Sequence, residues 1–183
     1  MHMMTSLAAA GLISLAALVA ATPATAATPA PAAAPAPDAA AIKATQDMLA
    51  AMQAEKLVRM VAGGSRFPNE QARAAALAKV EKLTQTPAEV YKRLAGPVAK
   101  VVSAETAAEM ARFYQTPYGQ KVVYQKYNSR ASFGGAAAPQ VSKEEKAALK
   151  NPAYVKASRE LEAAEPAIRH EVFVLIKSVL KSA

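Results

Sequence analysis

Nucleophilic catalysis of the serine type needs a base beside the nucleophile and a third group that orients the base. The chain offers little of this. It holds two histidines, His2 and His170, two aspartates, Asp38 and Asp47, and no cysteine. No Gly-x-Ser-x-Gly elbow occurs, and the nearest string, Gly63-Gly64-Ser65-Arg66, follows no strand pattern. His170 lies between Arg169 and Glu171 with no second His four residues away, so the zinc-protease pattern His-Glu-x-x-His fails. It reads as a surface or packing residue. Gly63-Gly64 has the composition of an anion nest, but no Lys-Ser/Thr follows as in a phosphate loop. Glu144-Glu145 and Glu160, Glu162 and Glu165 are carboxylate groups on single helices, not acids facing one another across a cleft. Without Cys there is no disulfide and no thiolate metal site. No catalytic, cofactor-binding or metal-binding residue is assigned, and the expectation is a protein that is not an enzyme.

The elements that would position any other chemistry follow from composition. The chain has 183 residues, about one domain. Hydrophobic residues make up 52%, but aromatics only 5%, because Ala supplies much of the total. Ala buries little area and is the best helix former, so the composition predicts helices held by close packing of small residues. Leu7 to Ala21 is apolar and uncharged, Thr22-Pro23 interrupts it, and Ala24-Thr25-Ala26 follows. An apolar run of this length before A-x-A predicts a secretory signal peptide cleaved after Ala26. Its first six residues carry no Lys or Arg, unlike the usual positive leader. The run is shorter than the ~20 apolar residues of a membrane-spanning helix, so no integral span is expected after cleavage. Residues 27–41 carry Pro29, Pro31, Pro35 and Pro37 among alanines and read as an extended, semi-rigid tether.

From residue 42 to 183 the pattern is helical throughout, a small bundle of about five to seven helices. Ile42 to Ala62 forms one helix that stops at Gly63-Gly64. Pro68 to Thr84 forms the next. Thr86-Pro87-Ala88-Glu89 is a capping box opening a helix with Val90, Leu94, Val98 and Val101 on one face, interrupted at Gly96-Pro97. Ser103 caps a helix with Glu105 in its first turn, and Thr116-Pro117 starts another that reaches about Asn128. Arg130 to Val141 is loop, Ser142 to Glu145 is a second capping box, and Asn151-Pro152 opens the last helix, with a kink or restart at Pro166. There Ile168, Val172, Leu175, Ile176, Val179 and Leu180 form one apolar face, with Arg169, Lys177 and Lys181 off it.

The most distinctive string is VVSAETAAEMARFYQTPYGQKVV, Val101 to Val123. Phe113 and Tyr114 close one helix, Thr116 caps the next, Pro117 opens it, and Gly119 lets another backbone come close. Met110, Phe113, Tyr114 and Tyr118 are expected to pack as the hub of a helical corner. The motif Phe113-Tyr114-x-Thr116-Pro117-x-Gly119-x-Lys121 resembles the bacterial envelope family catalogued as domain of unknown function 2059, with looser similarity over about 91–127. Members share the plan of signal peptide, short helical preamble and this helix ending. Where members often reach another Pro soon after the motif, this chain runs Tyr124-Gln125-Lys126-Tyr127-Asn128. The resemblance implies an exported, periplasmic or secreted, helical protein and brings no known catalytic residue.

Twenty-two Lys and Arg against 14 Asp and Glu leave a formal charge of +8. The charge is spread over the helices, and the closest grouping, Lys143, Lys146 and Lys150, shares its helix with Glu144 and Glu145. No nucleic-acid-binding signature is evident. Three functions are therefore expected, in this order. The first is an interaction module for another envelope component, with an apolar patch at Tyr118, Tyr124, Tyr127 and Phe133. The second is peripheral binding to an anionic membrane or envelope polymer, with the last helix packed in the core or lying on the membrane. The third is an unrecognised enzyme with His170 as its best residue.

Overall fold

A computed structural model describes residues 36–128 and 141–182. The segments expected to be a signal peptide (1–26) and, up to residue 35, a tether, together with residues 129–140 and Phe133 among them, lie outside the described residues. The described chain is all-α and contains eight helices: α1 (Ala39–Ala51), α2 (Ala54–Gly64), α3 (Glu70–Thr84), α4 (Pro87–Val98), α5 (Ala104–Gln115), α6 (Pro117–Asn128), α7 (Lys143–Leu149) and α8 (Pro152–Lys181).

Local polar residues set most of the helix starts. Asp38, Asn69, Ser103, Ser142 and Asn151 each accept a backbone N–H of the first turn that follows. At Ser142 the reciprocal bond from the Ser142 N–H to Glu145 closes the expected capping box. Three boundaries move. Asp38 accepts from Ala41 N at 2.7 Å, so helix begins at Ala39, three residues before the expected start. Gly63 and Gly64 form the last turn of α2, and Ser65 ends it. Asn69, not Pro68, opens α3.

The box expected at Thr86 does not close. The Thr86 hydroxyl makes no capping bond, and Glu89 instead holds Arg93 one turn on, at 2.7 Å. Pro87 still takes the first helical position.

The eighth helix comes from a break within the segment expected to run from Ile42 to Ala62. Gln53 adopts a left-handed conformation, φ 56° and ψ 54°. Neither Gly nor Pro is present there, and non-Gly residues seldom sit in this region. The apolar pattern supplies the reason. At 100° per residue, Thr45, Met48, Leu49 and Met52 lie along one side of a helix, while Ala54, Leu57, Val58 and Ala62 fall roughly opposite. All eight are buried. One straight helix would turn the second set to solvent, and the break turns it to the core.

Gly96-Pro97 interrupts α4 by ending it at Val98. Val98 is buried, but the turn that follows leaves Val101 exposed and sends Val102 inward. Val101 is therefore not on the buried face expected for it. Pro166 does not restart the last helix, because α8 is continuous over 30 residues. Its expected stripe faces inward: Ile168, Val172, Leu175 and Ile176 are buried, and Val179 and Leu180 pack against the core at its edge.

The most extensive helix contact joins α1 to α5. Met48 and Leu49 of α1 are fully buried, and α5 faces inward with Ala107, Met110 and Ala111. The small residues let the two backbones approach, so the large side chains fill the space between.

Glu160 ties α8 to the start of α5. Its carboxylate accepts from Ser103 N at 2.8 Å and from the buried Thr106 hydroxyl at 2.6 Å. Partial burial raises the Glu160 pKa, but these hydrogen bonds outweigh it and hold the group below its ordinary value. A carboxylate with a depressed pKa in the folded state stabilises the fold above its unfolded pKa and loses that contribution as pH falls through the folded one. Glu160→Gln is expected to destabilise the fold at pH 7 by about 1–2 kcal/mol and to flatten the loss of stability below about pH 4. Urea denaturation at pH 7 and pH 3 checks both. An unchanged pH profile would show that the carboxylate charge is not what joins the helices.

Candidate functional site

The expected Thr-Pro restart places α5 and α6 on either side of a single residue, Thr116. Its hydroxyl donates to Phe113 O at 2.7 Å and accepts from Gly119 N at 3.0 Å. One side chain thereby closes the end of α5 and the start of α6. Gly119 is buried against the departing strand of backbone: a Cβ there would lie 2.0 Å from Phe113 O and 2.7 Å from Tyr114 Cα. The corner is sharp because position 119 has no side chain.

Around this corner the aromatic rings gather on Phe113. Its centroid lies 5.2 Å from Tyr114, 6.1 Å from Tyr118 and 4.7 Å from Tyr154. Met110 is buried beneath them. The hub expected from Met110, Phe113, Tyr114 and Tyr118 thus gains Tyr154 from α8. Tyr154 lies 36 residues from Tyr118 in the chain, and no local pattern marks it. Burial pushes the Tyr114 phenol up to about 12, with Tyr154 and Glu165 adding to the shift. Tyr127 is raised by burial as well, and its hydroxyl is buried without a hydrogen-bond partner among the described residues. Of the residues expected to form an exposed patch, Tyr118 and Tyr127 are half-buried, while Tyr124 is 66% exposed. Tyr124 is the large patch residue that the described surface presents.

Beside Tyr124 runs a groove of about 510 Å³ lined by Gln53, Pro117, Gln120, Lys121, Tyr124 and Gln125. Gln120 builds its far wall. Its amide donates to Tyr114 O and to Ala51 O at 3.5 Å, and it accepts from Gln53 at 3.3 Å. The corner is therefore latched to the α1–α2 break. Backbone strain of the kind seen at Gln53 costs of order 1–3 kcal/mol and gathers at functional sites. The groove brings together Pro117, Lys121 and the rim of the corner, while Phe113, Tyr114, Thr116 and Gly119 act beneath it. The signal for Gln53 was present in the phase shift of the apolar stripe, not in any turn residue.

The remaining residues with chemical potential stand apart. His170 is exposed on α8. Glu144 and Glu145 belong to the start of α7, where Lys143, Lys146 and Lys150 also face solvent. Glu160 binds Ser103 and Thr106, and Glu165 pairs with Arg169 at 3.0 Å. Gly63 and Gly64 are helical, so they offer no nest. Among the described residues no group of three His, Asp or Glu could hold a metal ion, and no helix is long and apolar enough to cross a membrane. Comparisons with known protein families, with curated proteins and with solved structures find no match for the chain.

Proposed function

We propose that this chain is an exported, non-catalytic interaction module whose α5–α6 corner binds another component of the bacterial cell envelope. The observation that carries this reading is Tyr124, 66% exposed along a groove shared with Pro117 and Lys121. An exposed aromatic beside a Pro, a Lys and glutamine amides provides apolar area, charge and hydrogen bonding in one place, the mixture found at protein-binding hot spots. The motif resemblance to the family of domain of unknown function 2059 and the leader-like first 26 residues support export as part of the same reading.

Peripheral binding to an anionic membrane or envelope polymer is the second reading. It is favoured by a groove of about 660 Å³ at the end of α8 that Lys79, Lys82 and Arg93 line. Two of these cations are already engaged. Lys79 donates to Leu180 O and Ser182 O, and Arg93 pairs with Glu89. That leaves Lys82 as the cation of this groove with no partner drawn from its walls, a weak anchor for a polyanion.

The test is in-cell crosslinking of the tagged protein followed by mass spectrometry, comparing wild type with Tyr124→Ala. Tyr124 is exposed, so the variant keeps its fold. A single dominant protein partner is expected, with capture reduced at least about tenfold in the variant. Equal capture by both proteins would move the binding site away from the corner.

A further inference from the structure

The inward stripe of α8 leaves an outward face, and over the last half of the helix that face has a composition of its own. At 100° per residue, Arg169, His170, Phe173, Val174, Lys177 and Lys181 fall within an arc of about 140°. All six are exposed, Phe173 by 39% and Val174 by 45%. From Arg169 to Lys181 the arc runs about 18 Å along the surface. Phe173 and Val174 form an apolar pair near its middle, with Arg169 before them and Lys177 and Lys181 after.

The charge around this pair is one-sided. Arg169 is held by Glu165 at 3.0 Å. The Lys177 ammonium lies over the Phe173 ring, 4.9 Å from its centroid, so its stem already covers part of the aromatic surface. Glu171 is the one carboxylate of residues 166–182. It sits about 160° round the helix from Phe173 and is half-buried in a groove that Arg93 also lines. The groove at the end of α8 adds Lys79 and Lys82, with Glu89 paired to Arg93. Across this face and the two grooves that flank it, Arg169, Lys177, Lys181, Arg93, Lys79 and Lys82 stand against Glu165, Glu171 and Glu89.

We infer that this face of α8 docks on an anionic lipid bilayer, with Phe173 and Val174 at the boundary of headgroups and acyl chains and Arg169, Lys177 and Lys181 against lipid phosphates. Among the described residues no helix can cross a membrane, so the contact is peripheral. The mixture of groups selects the ligand. A soluble polyanion would meet the cations but leave the two apolar side chains in water. An apolar protein patch would bury the pair but strip water from three cations and give them no partner. A bilayer accepts both, because long cationic side chains keep their heads among the phosphates while their stems lie against the apolar pair. The inference rests on the second reading above for its class of ligand and narrows it to one surface. It shares no residue with the Tyr124 groove.

The chain contains no cysteine, so Val174→Cys can carry a single environment-sensitive fluorophore, and Tyr124→Cys carries the same label as a control. Each protein, expressed from the full 183-residue sequence, is titrated with phosphatidylcholine vesicles with and without about one-third phosphatidylglycerol. The label at 174 is expected to shift to the blue with the anionic vesicles, and the label at 124 to stay in water. Apparent affinity should fall at least about tenfold without the anionic lipid, and about tenfold when Lys177→Gln and Lys181→Gln are combined. Both lysines are exposed, so this variant keeps its fold, and an unchanged melting temperature checks it. Equal binding to neutral vesicles, or unchanged affinity in the lysine variant, would overturn the inference. So would vesicle binding that leaves position 174 in water, since the contact would then lie elsewhere in the chain. Binding to soluble polyglutamate without binding to vesicles would overturn it too, while leaving the polymer form of the second reading in place.

Discussion

Gly119→Ala is expected to destabilise the fold by about 3 kcal/mol or more, and to lower the melting temperature by about 10 °C. The added methyl would meet Phe113 O at 2.0 Å, Tyr114 Cα at 2.7 Å and Phe113 C at 2.8 Å. All three are backbone atoms, so no side-chain rotation relieves the contact. The corner must open, and opening it separates Thr116 from Phe113 O and from Gly119 N. It also draws Gln120 away from Ala51 O and Gln53, so the groove loses its far wall. Gly96→Ala is the control. A methyl there meets nothing within 4 Å, and the residue is helical. That substitution should be neutral or stabilising by up to about 1 kcal/mol. Thermal denaturation of the two variants separates a packing requirement at 119 from a general sensitivity of the chain to Gly replacement. Equal, small effects would mean that the corner is not held as described.

The second large effect is expected in the core. Leu49→Ala should cost about 3 kcal/mol, seen as a lower urea midpoint with an unchanged slope. Leu49 is fully buried on α1, whose most extensive contact is with α5, and the buried residues of α5 include Ala107 and Ala111. Alanines have no rotamers with which to fill the space left behind. The cavity can close only if a helix moves, and Met110, also buried there, is anchored beneath the aromatic hub. Ile42 on the same helix is 36% exposed, and Ile42→Ala should stay within about 0.5 kcal/mol. A loss at Leu49 no larger than that at Ile42 would show that the α1–α5 contact tolerates loose packing.

Much of this arrangement was legible before any coordinates, and the reasons are local. Thr116-Pro117 combines a capping hydroxyl with a residue suited to the first helical position, and the chain turns there. The stripe from Ile168 to Leu180 is long enough that its period alone fixes which side faces inward. Ser103 and Ser142 cap because each is followed by N–H groups with no partner inside the helix. The missed features depend on partners distant in sequence. Glu89 was free in principle to reach back to Thr86, but Arg93 offers it a charged partner. Tyr154 joins Phe113 only after α8 has folded back onto α5. The break at Gln53 carries no Gly or Pro, and its only trace is the jump in phase between Met52 and Ala54.

The candidate site divides in the same way. Phe113, Tyr114, Thr116 and Gly119 could be read as the frame of a corner, because each role follows from the residue's own chemistry. The groove above them could not, because its lining includes Gln53, brought in from the break between α1 and α2. The tyrosines expected to share an exposed patch part company for a geometric reason. Tyr127 lies three residues beyond Tyr124, a net rotation of only about 60°, enough to take it from the exposed face to the half-buried edge of the helix. Tyr124 stays at the surface.

The central claim is that the face of α6 bearing Tyr124 meets a protein partner in the envelope. The most direct measurement places a photo-crosslinking amino acid at position 124 and, separately, at Val174, which is 45% exposed on α8. Each protein is expressed from the full 183-residue sequence, irradiated in living cells and analysed by mass spectrometry. The account predicts one dominant protein adduct from position 124 and little or none from position 174. Equal adducts from both positions, or recovery of only lipid or cell-wall material that is lost at high salt, would contradict it.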